Sequence, residues 1–253
     1  MKYAVVTGVS SGLGFAIAKL LLESGIHVYG VSRTDESTLM DVAKENNVDY
    51  VHYPCDLSEK SEVTKTLEKL SDVVNHWTEN DQLFVVNNAA VIQPIKPAHT
   101  LTQEELAYHY EVNVLAPIQL MNTLLAKSME RNVTFVGLNV TSGAAVNPLF
   151  GWSAYCSAKA SINMYTKTVA HEQNELQTEN KMIAFNPGIM DTNMQAEIRS
   201  TDQANFRMVE QFKQYKQQGI LSQTEAVASI LIDIMTDEAN IVNGTIYDVN
   251  DYT

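Results

Sequence analysis

Tyr155 and Lys159 stand four residues apart in Tyr155-Cys156-Ser157-Ala158-Lys159. On a helix that spacing puts a phenol and an ammonium on one face. The ammonium favours the phenolate and so draws the phenol's pKa down from about 10 toward neutrality. Such a phenol can pass a proton to a carbonyl oxygen while hydride reaches the carbon. Ser142 ends an apolar, β-branched run. A hydroxyl there can hold the same oxygen, because ligand sites of open α/β sheets lie at the strand ends. The tyrosine–lysine spacing alone is common on solvated helices, and it is the combination with a strand-end serine that points to chemistry.

A second group lies near the N-terminus, in Thr7-Gly8-Val9-Ser10-Ser11-Gly12-Leu13-Gly14. Glycines between a strand and a helix let backbone amides and a helix N-terminus approach a pyrophosphate. The spacing is G-x-x-x-G-x-G rather than G-x-G-x-x-G. Its bland reading is a tight strand-to-helix turn. At the end of the next strand the chain reads Val31-Ser32-Arg33-Thr34, with no carboxylate before Asp35. A carboxylate there would suit the ribose hydroxyls of NAD. The planar fork of Arg33, with the Ser32 hydroxyl beside it, suits a 2′-phosphate and hence NADPH. The plainer alternative is a solvated arginine.

These residues must be placed by an alternation of strands and helices. Short apolar runs predict strands over residues 3–7, 26–32, 48–53, 83–86, 133–140, 182–185 and 245–249. Helical patterns follow Gly14 and cover 39–46, 58–77 with Ser58 as N-cap, 103–129, 154–177 and 224–235. Alternation of this kind implies a parallel sheet with helices on both faces. Unalternating apolar strands imply burial on both sides. The polar stretch from about 195 to 218 sits between a strand end and a helix, so it reads as an inserted flap rather than a second domain. It is expected to be helical and to close over the substrate.

Composition agrees with one α/β domain. The chain has 253 residues, 45% hydrophobic and 19% charged. Two cysteines, Cys55 and Cys156, make no disulfide framework. No apolar run suits a signal peptide or membrane span, so a cytoplasmic protein without a membrane partner is expected. A net charge of −13 repels nucleic acid. No metal site is expected.

In its motifs the chain resembles the short-chain dehydrogenase/reductase family over essentially its whole length. The resemblance rests on Thr7 to Gly14, Cys55-Asp56-Leu57, Asn87-Asn88-Ala89-Ala90, Asn113-Val114, Ser142, Tyr155-x-x-x-Lys159 and Pro187-Gly188, in that order. The family's usual N-N-A-G ends here in Ala90. The resemblance implies a single Rossmann-type domain, residues 1–253, with a doubly wound sheet of seven parallel strands and a flexible substrate flap at about 191–218. It implies Tyr155 as general acid in reduction, with Lys159 lowering its pKa and binding the nicotinamide ribose. Ser142 orients the substrate carbonyl, and Asn113 kinks its helix and holds a water that links Lys159 to solvent. Toward the cofactor it implies Gly8, Ser10, Ser11, Gly12, Leu13 and Gly14 at the phosphates, and Ser32 and Arg33 at the adenosine end. Asp56 meets the adenine, with Leu57 beside it, and Asn88 and Ala89 lie along the cofactor. Pro187, Gly188, Ile189 and Thr192 approach the nicotinamide. A homo-oligomer, a dimer first, is also implied, through the helices at 103–129 and 154–177.

Asp191-Thr192-Asn193-Met194-Gln195 after the Pro-Gly turn is similar to the sepiapterin reductase branch, which also holds bacterial benzil reductases. That likeness implies a small-molecule carbonyl substrate with vicinal or aromatic carbonyls, reduced to a chiral hydroxyketone. Phe150 and Trp152, with Leu149, are candidates for an aromatic substrate wall, or equally for core or dimer contacts. Asp248 is a candidate carboxylate for anchoring a pterin, or an ordinary strand-end aspartate. Two other readings stay open. One is a different reductase of the family, acting on acyl-carrier thioesters or sugars. The other is a non-catalytic NADPH-binding regulator, which would predict a damaged serine–tyrosine–lysine set.

Overall fold

The computed structural model describes residues 1–252, so the last residue of the expected 1–253 domain lies outside the described residues. The first strand, β1 (Lys2–Thr7), feeds the glycine turn and α1 (Gly12–Glu23). There follow β2 (His27–Ser32), α2 (Ser37–Glu45), β3 (Tyr50–Pro54), α3 (Lys60–Val74) and β4 (Gln82–Asn87). The second half holds α4 (Gln103–Tyr110), α5 (Ala116–Arg131), β5 (Thr134–Val140), α6 (Ser153–Glu175) and β6 (Lys181–Asn186). It ends with α7 (Asn193–Arg199), α8 (Val209–Gln217), α9 (Thr224–Thr236) and β7 (Ile246–Asp248). The seven strands form one sheet in the order β3-β2-β1-β4-β5-β6-β7, all parallel. The seven-stranded doubly wound sheet expected from the motifs is therefore present.

Strand alternation builds the two cores. Ala4, Val6, Phe84 and Val86 pack with α1 and α9 on one face, while Val5, Leu83 and Val85 pack with α3 and α5 on the other. Every residue of β4 is buried, because a central parallel strand is covered on both sides. Strand order reverses between β1 and β4, and their C-terminal ends part to leave the crevice in which such sheets bind ligands.

Three local expectations are corrected. The helix expected over 103–129 is two helices joined by a π-turn at Glu111–Leu115. Pro117 has no amide hydrogen for the Asn113 carbonyl four residues back, so the ladder must skip there. The Asn113 side chain holds the bend, accepting from Val91 N–H at 2.9 Å and donating to the Val91 carbonyl at 2.8 Å. Ser58 does not cap α3, whose N-cap is Glu59. The amide and hydroxyl of Ser58 instead donate to Asp56 Oδ1 at 2.9 and 2.8 Å. Finally, the stretch at 195–218, polar as a whole, hides a cluster of apolar anchors, among them Phe206, Val209 and Phe212, all buried.

Gly14 shows why the turn needs glycine. A Cβ added there would lie 2.2 Å from the Gly8 carbonyl oxygen and 2.4 Å from Asn88 Nδ2. Gly→Ala in a helix ordinarily stabilises by about 0.4–1 kcal/mol. At Gly14 we expect the opposite sign, a loss of roughly 1–3 kcal/mol in denaturant unfolding. A Gly14→Ala protein at least as stable as wild type would show that the turn has room to spare.

Candidate active site

The crevice opens into a cavity of about 810 Å³ that runs from Arg33 at one end to Tyr215 at the other. Gly8, Ser10, Ser11, Gly12 and Leu13 line its floor, with Ser32, Arg33, Asp56 and Leu57 at one end and Asn88 and Ala89 along the side. Ser142, Tyr155 and Lys159 sit mid-cavity, faced by Pro187, Gly188, Ile189 and Thr192. Among the residues expected at a dinucleotide, Gly14 alone does not line the cavity; it packs against the Gly8 carbonyl beneath.

The floor fits a dinucleotide. Gly8 and Gly12 hold φ of +77° and +58°, a region closed to most side chains. A Cβ on Gly8 would meet Asn88 Nδ2 at 2.8 Å. Asn88 is itself tied down, its amide donating to the Thr7 carbonyl at 3.0 Å. Asp56 lies beside the cavity entrance. Burial opposes its charge, but the Ser58 hydrogen bonds and the Arg33 guanidinium outweigh that and hold its carboxyl below the ordinary range. Ser32 departs from its expected role as a donor. Its hydroxyl proton goes to the Thr34 carbonyl at 2.7 Å, with His52 Nε2 3.0 Å from the same oxygen. That proton is therefore committed, and Arg33 is the free donor at this end.

Tyr155 and Lys159 lie on α6, and Ser142 follows β5. Ser142 Oγ accepts from Ala144 N–H at 3.2 Å, and its hydroxyl faces the Tyr155 phenol. Both α6 residues are buried. Burial pushes the Tyr155 phenol up to about 12, with the Ser142 hydroxyl pulling the other way. Burial pushes the Lys159 ammonium down to about 8. The lowered phenol expected from the tyrosine–lysine spacing is thus not what the geometry gives. Desolvation dominates, and Lys159 Nζ donates to the Val140 carbonyl at 2.8 Å while lying 5.7 Å from the Tyr155 ring centre. The consequence suits reduction: the phenol stands protonated, and the nearby ammonium stabilises the phenolate that remains once the proton has left.

Asn113 is buried behind this group and does not line the cavity. Its side chain is tied to Val91 and lies against the His109 ring.

The substrate half is apolar. Trp152 lines it and stacks on Phe206 of the flap at 4.6 Å and 13°, with Phe212 edge-on at 5.7 Å. Two residues expected at the substrate are elsewhere. Phe150 is 47% exposed, outside the cavity, with Arg207 5.1 Å over its ring. Gly151, at φ +90°, turns the chain between Phe150 and Trp152, so the neighbours point apart. Asp248 also lies outside the lining. Its carboxylate accepts from Asn186 Nδ2 at 2.6 Å, Asn250 N–H at 2.9 Å and Asn250 Nδ2 at 2.6 Å. A carboxylate so occupied closes a turn rather than reaching a ligand.

Sequence reasoning missed Ile92, Gln93, Met194, Ile198, Met208, Phe212 and Tyr215 on the cavity wall. For Phe212 and Tyr215 the signal was the spacing Phe206, Val209, Phe212, Tyr215, one apolar residue every third position in a polar stretch. Among the described residues no cluster of potential metal ligands occurs and no helix is long and apolar enough to cross a membrane.

Comparison with known proteins agrees with this geometry. The family model for short chain dehydrogenase matches residues 2–203. A benzil reductase ((S)-benzoin forming) of Bacillus subtilis is 34% identical over 252 residues, covering 100% of both chains. A Bacillus cereus protein of the same name is 34% identical over 238 residues, 94% of this chain and 95% of that one. Among solved structures, a short chain dehydrogenase/reductase from Saccharomyces cerevisiae superposes with a TM-score of 0.83 at 26% identity, over 99% of this chain and 97% of that one. The chain therefore belongs to the short-chain dehydrogenase/reductase family, whose members are oxidoreductases that bind NAD(P)(H) and act on a carbonyl or alcohol.

Proposed function

We propose that the chain is an NADPH-dependent carbonyl reductase that converts a neutral aromatic or vicinal dicarbonyl into a chiral hydroxyketone. The observation that carries the reading is the pairing of an intact Ser142–Tyr155–Lys159 set with an apolar, aromatic wall. The cations lining the cavity are Arg33 and Lys159, one at each half of the cofactor track. Nothing cationic remains to receive a carboxylate or a phosphopantetheine in the substrate half. That disfavours acyl-carrier thioesters, and the intact triad disfavours a non-catalytic regulator. The 34% identity to two benzil reductases supports the same substrate class. With Asp248 occupied by Asn186 and Asn250, the benzil side of the branch is favoured over a pterin.

The bound dinucleotide would supply hydride, held by the Gly8 to Leu13 floor, Asn88 and Lys159. The chain's own part is to hold and move the proton. Ser142 donates to the substrate oxygen and fixes its place. Tyr155 transfers its phenolic proton to that oxygen as charge develops there. Lys159 stabilises the phenolate left behind, and the Trp152–Phe206 stack keeps water from the reacting atoms. An approach to one face of the carbonyl gives a single enantiomer, and the relatives' names point to (S).

The substrate reading is tested by NADPH oxidation against benzil, sepiapterin, sugars and β-ketoacyl thioesters. Benzil should lead that panel; preference for a sugar or thioester would remove the dicarbonyl reading and leave the family intact. Tyr155→Phe should fold and bind NADPH but lose about 10²–10⁴ in turnover, checked by steady-state rates beside a binding titration. Turnover close to wild type would dismiss Tyr155 as the donor. Arg33→Ala should weaken NADPH by one to two decades, about 1.5–3 kcal/mol for a charge-assisted bond, and leave NADH almost unmoved. Equal losses for both cofactors would show that Arg33 does not read the phosphate.

A further inference from the structure

His109, in the last turn of α4, is fully buried and has no part in the chemistry above. Its Nδ1 lies 2.6 Å from the Gln93 carbonyl oxygen. A carbonyl only accepts, so a neutral imidazole here carries its proton on Nδ1. Asn113 Nδ2 lies 3.3 Å from Nδ1 and 2.9 Å from Nε2 of the same ring. Near-equal distances to both nitrogens put the amide over the face of the ring, not along either lone pair. The two bonds to Val91 fix the amide independently. A neutral ring face attracts an N–H, whereas an imidazolium repels it.

The far side of His109 meets the proton donor. Its ring packs edge-on against Tyr155 at 6.2 Å and 78°. The charged or titratable groups facing it are Tyr155 and Lys159 from α6, and Tyr110 from its own helix. Glu111, two residues on, turns its carboxylate to Lys60 at 3.7 Å. Residues 91–93, Val-Ile-Gln, bring no charge. Burial holds the imidazole below its ordinary pKa against the pull of the Gln93 carbonyl, and the Lys159 ammonium adds to burial.

We propose that neutral His109 is a positioning residue: it ties the 91–93 wall of the cavity and Asn113 to Tyr155, and an imidazolium, while keeping its Nδ1–H on Gln93, repels the Asn113 amide that anchors Val91 and so loosens that wall. Val91, Ile92 and Gln93 all line the cavity, so a loosened wall should weaken ketone binding before it affects the dinucleotide. The kinetic consequence rests on the carbonyl-reductase reading; the consequence for stability does not.

The test compares wild type, His109→Gln and His109→Leu. Glutamine keeps an N–H donor for Gln93 and a flat amide for Asn113, but does not titrate. At saturating NADPH, the wild-type kcat/KM for benzil should fall about tenfold from about pH 7.5 to about pH 5, through KM. His109→Gln should stay within about threefold over that span. His109→Leu should raise the benzil KM about tenfold near neutrality, with NADPH Kd within about twofold. Below about pH 6.5 the unfolded histidine takes a proton that the folded one refuses, so wild-type stability falls as pH drops through that value. The Tm of His109→Gln should fall less. An acid loss in His109→Gln equal to wild type in both KM and Tm, or a wild-type KM in a folded His109→Leu, overturns the assignment. If His109→Leu does not fold, the glutamine comparison decides. If no ketone is reduced at all, the reductase reading fails by itself, and the Tm comparison still judges His109.

Discussion

All seven strands run in one direction, and this decides where everything else must go. Each strand-to-helix loop emerges at the same edge of the sheet, while each return is hidden in a helix crossover. The order reverses between β1 and β4, so the loops after these strands diverge and leave a gap between them. Gly8 to Leu13 follow β1, Asn88 and Ala89 follow β4, Ser142 follows β5, and Pro187 and Gly188 follow β6. Residues distant in the chain meet in one cavity because they share a strand end, not because they attract one another.

Burial then sets the chemistry. Lys159 and Tyr155 are taken out of water on a helix that packs against the sheet, and each is driven toward its neutral form. The Val140 carbonyl offsets part of the cost of the lysine by accepting its hydrogen bond. A protonated phenol beside a desolvated ammonium suits donation rather than permanent ionisation. The drive from water outweighs the tyrosine–lysine attraction, which the spacing alone would have placed first.

The flap supplies what the sheet cannot. Its α7 and α8 carry apolar residues under a polar outer surface, and Phe206, between them, stacks on Trp152 within a buried aromatic cluster. Asp191 anchors its base through Lys216 and Arg199, so both ends of the flap are tied to one carboxylate. The stack fixes Trp152, which lines the cavity and packs edge-on against Tyr155.

Much of this was legible in the residues. Local periodicity placed the strands within a residue or two, because most are short runs rich in apolar and β-branched residues. The glycine turn and Ser142 were legible because they follow strands, and Tyr155 and Lys159 because their four-residue spacing sets them on one face of α6. Residues whose role depends on direction were not legible. Phe150 and Trp152 are two apart in the chain, but Gly151 turns one outward and the other inward. Asp248 has the charge to hold a pterin, yet Asn186 and Asn250 consume it. His109 reads as one more polar residue in a helix, and only packing sets its ring between Gln93, Asn113 and Tyr155. The amino-acid order by itself determined the strand and helix alternation, hence the fold, and the reactive groups available at the sheet edge. The tertiary structure alone decided which of them face the cavity and which protonation states they hold. Both depend on desolvation and on hydrogen bonds between segments that no local pattern brings together.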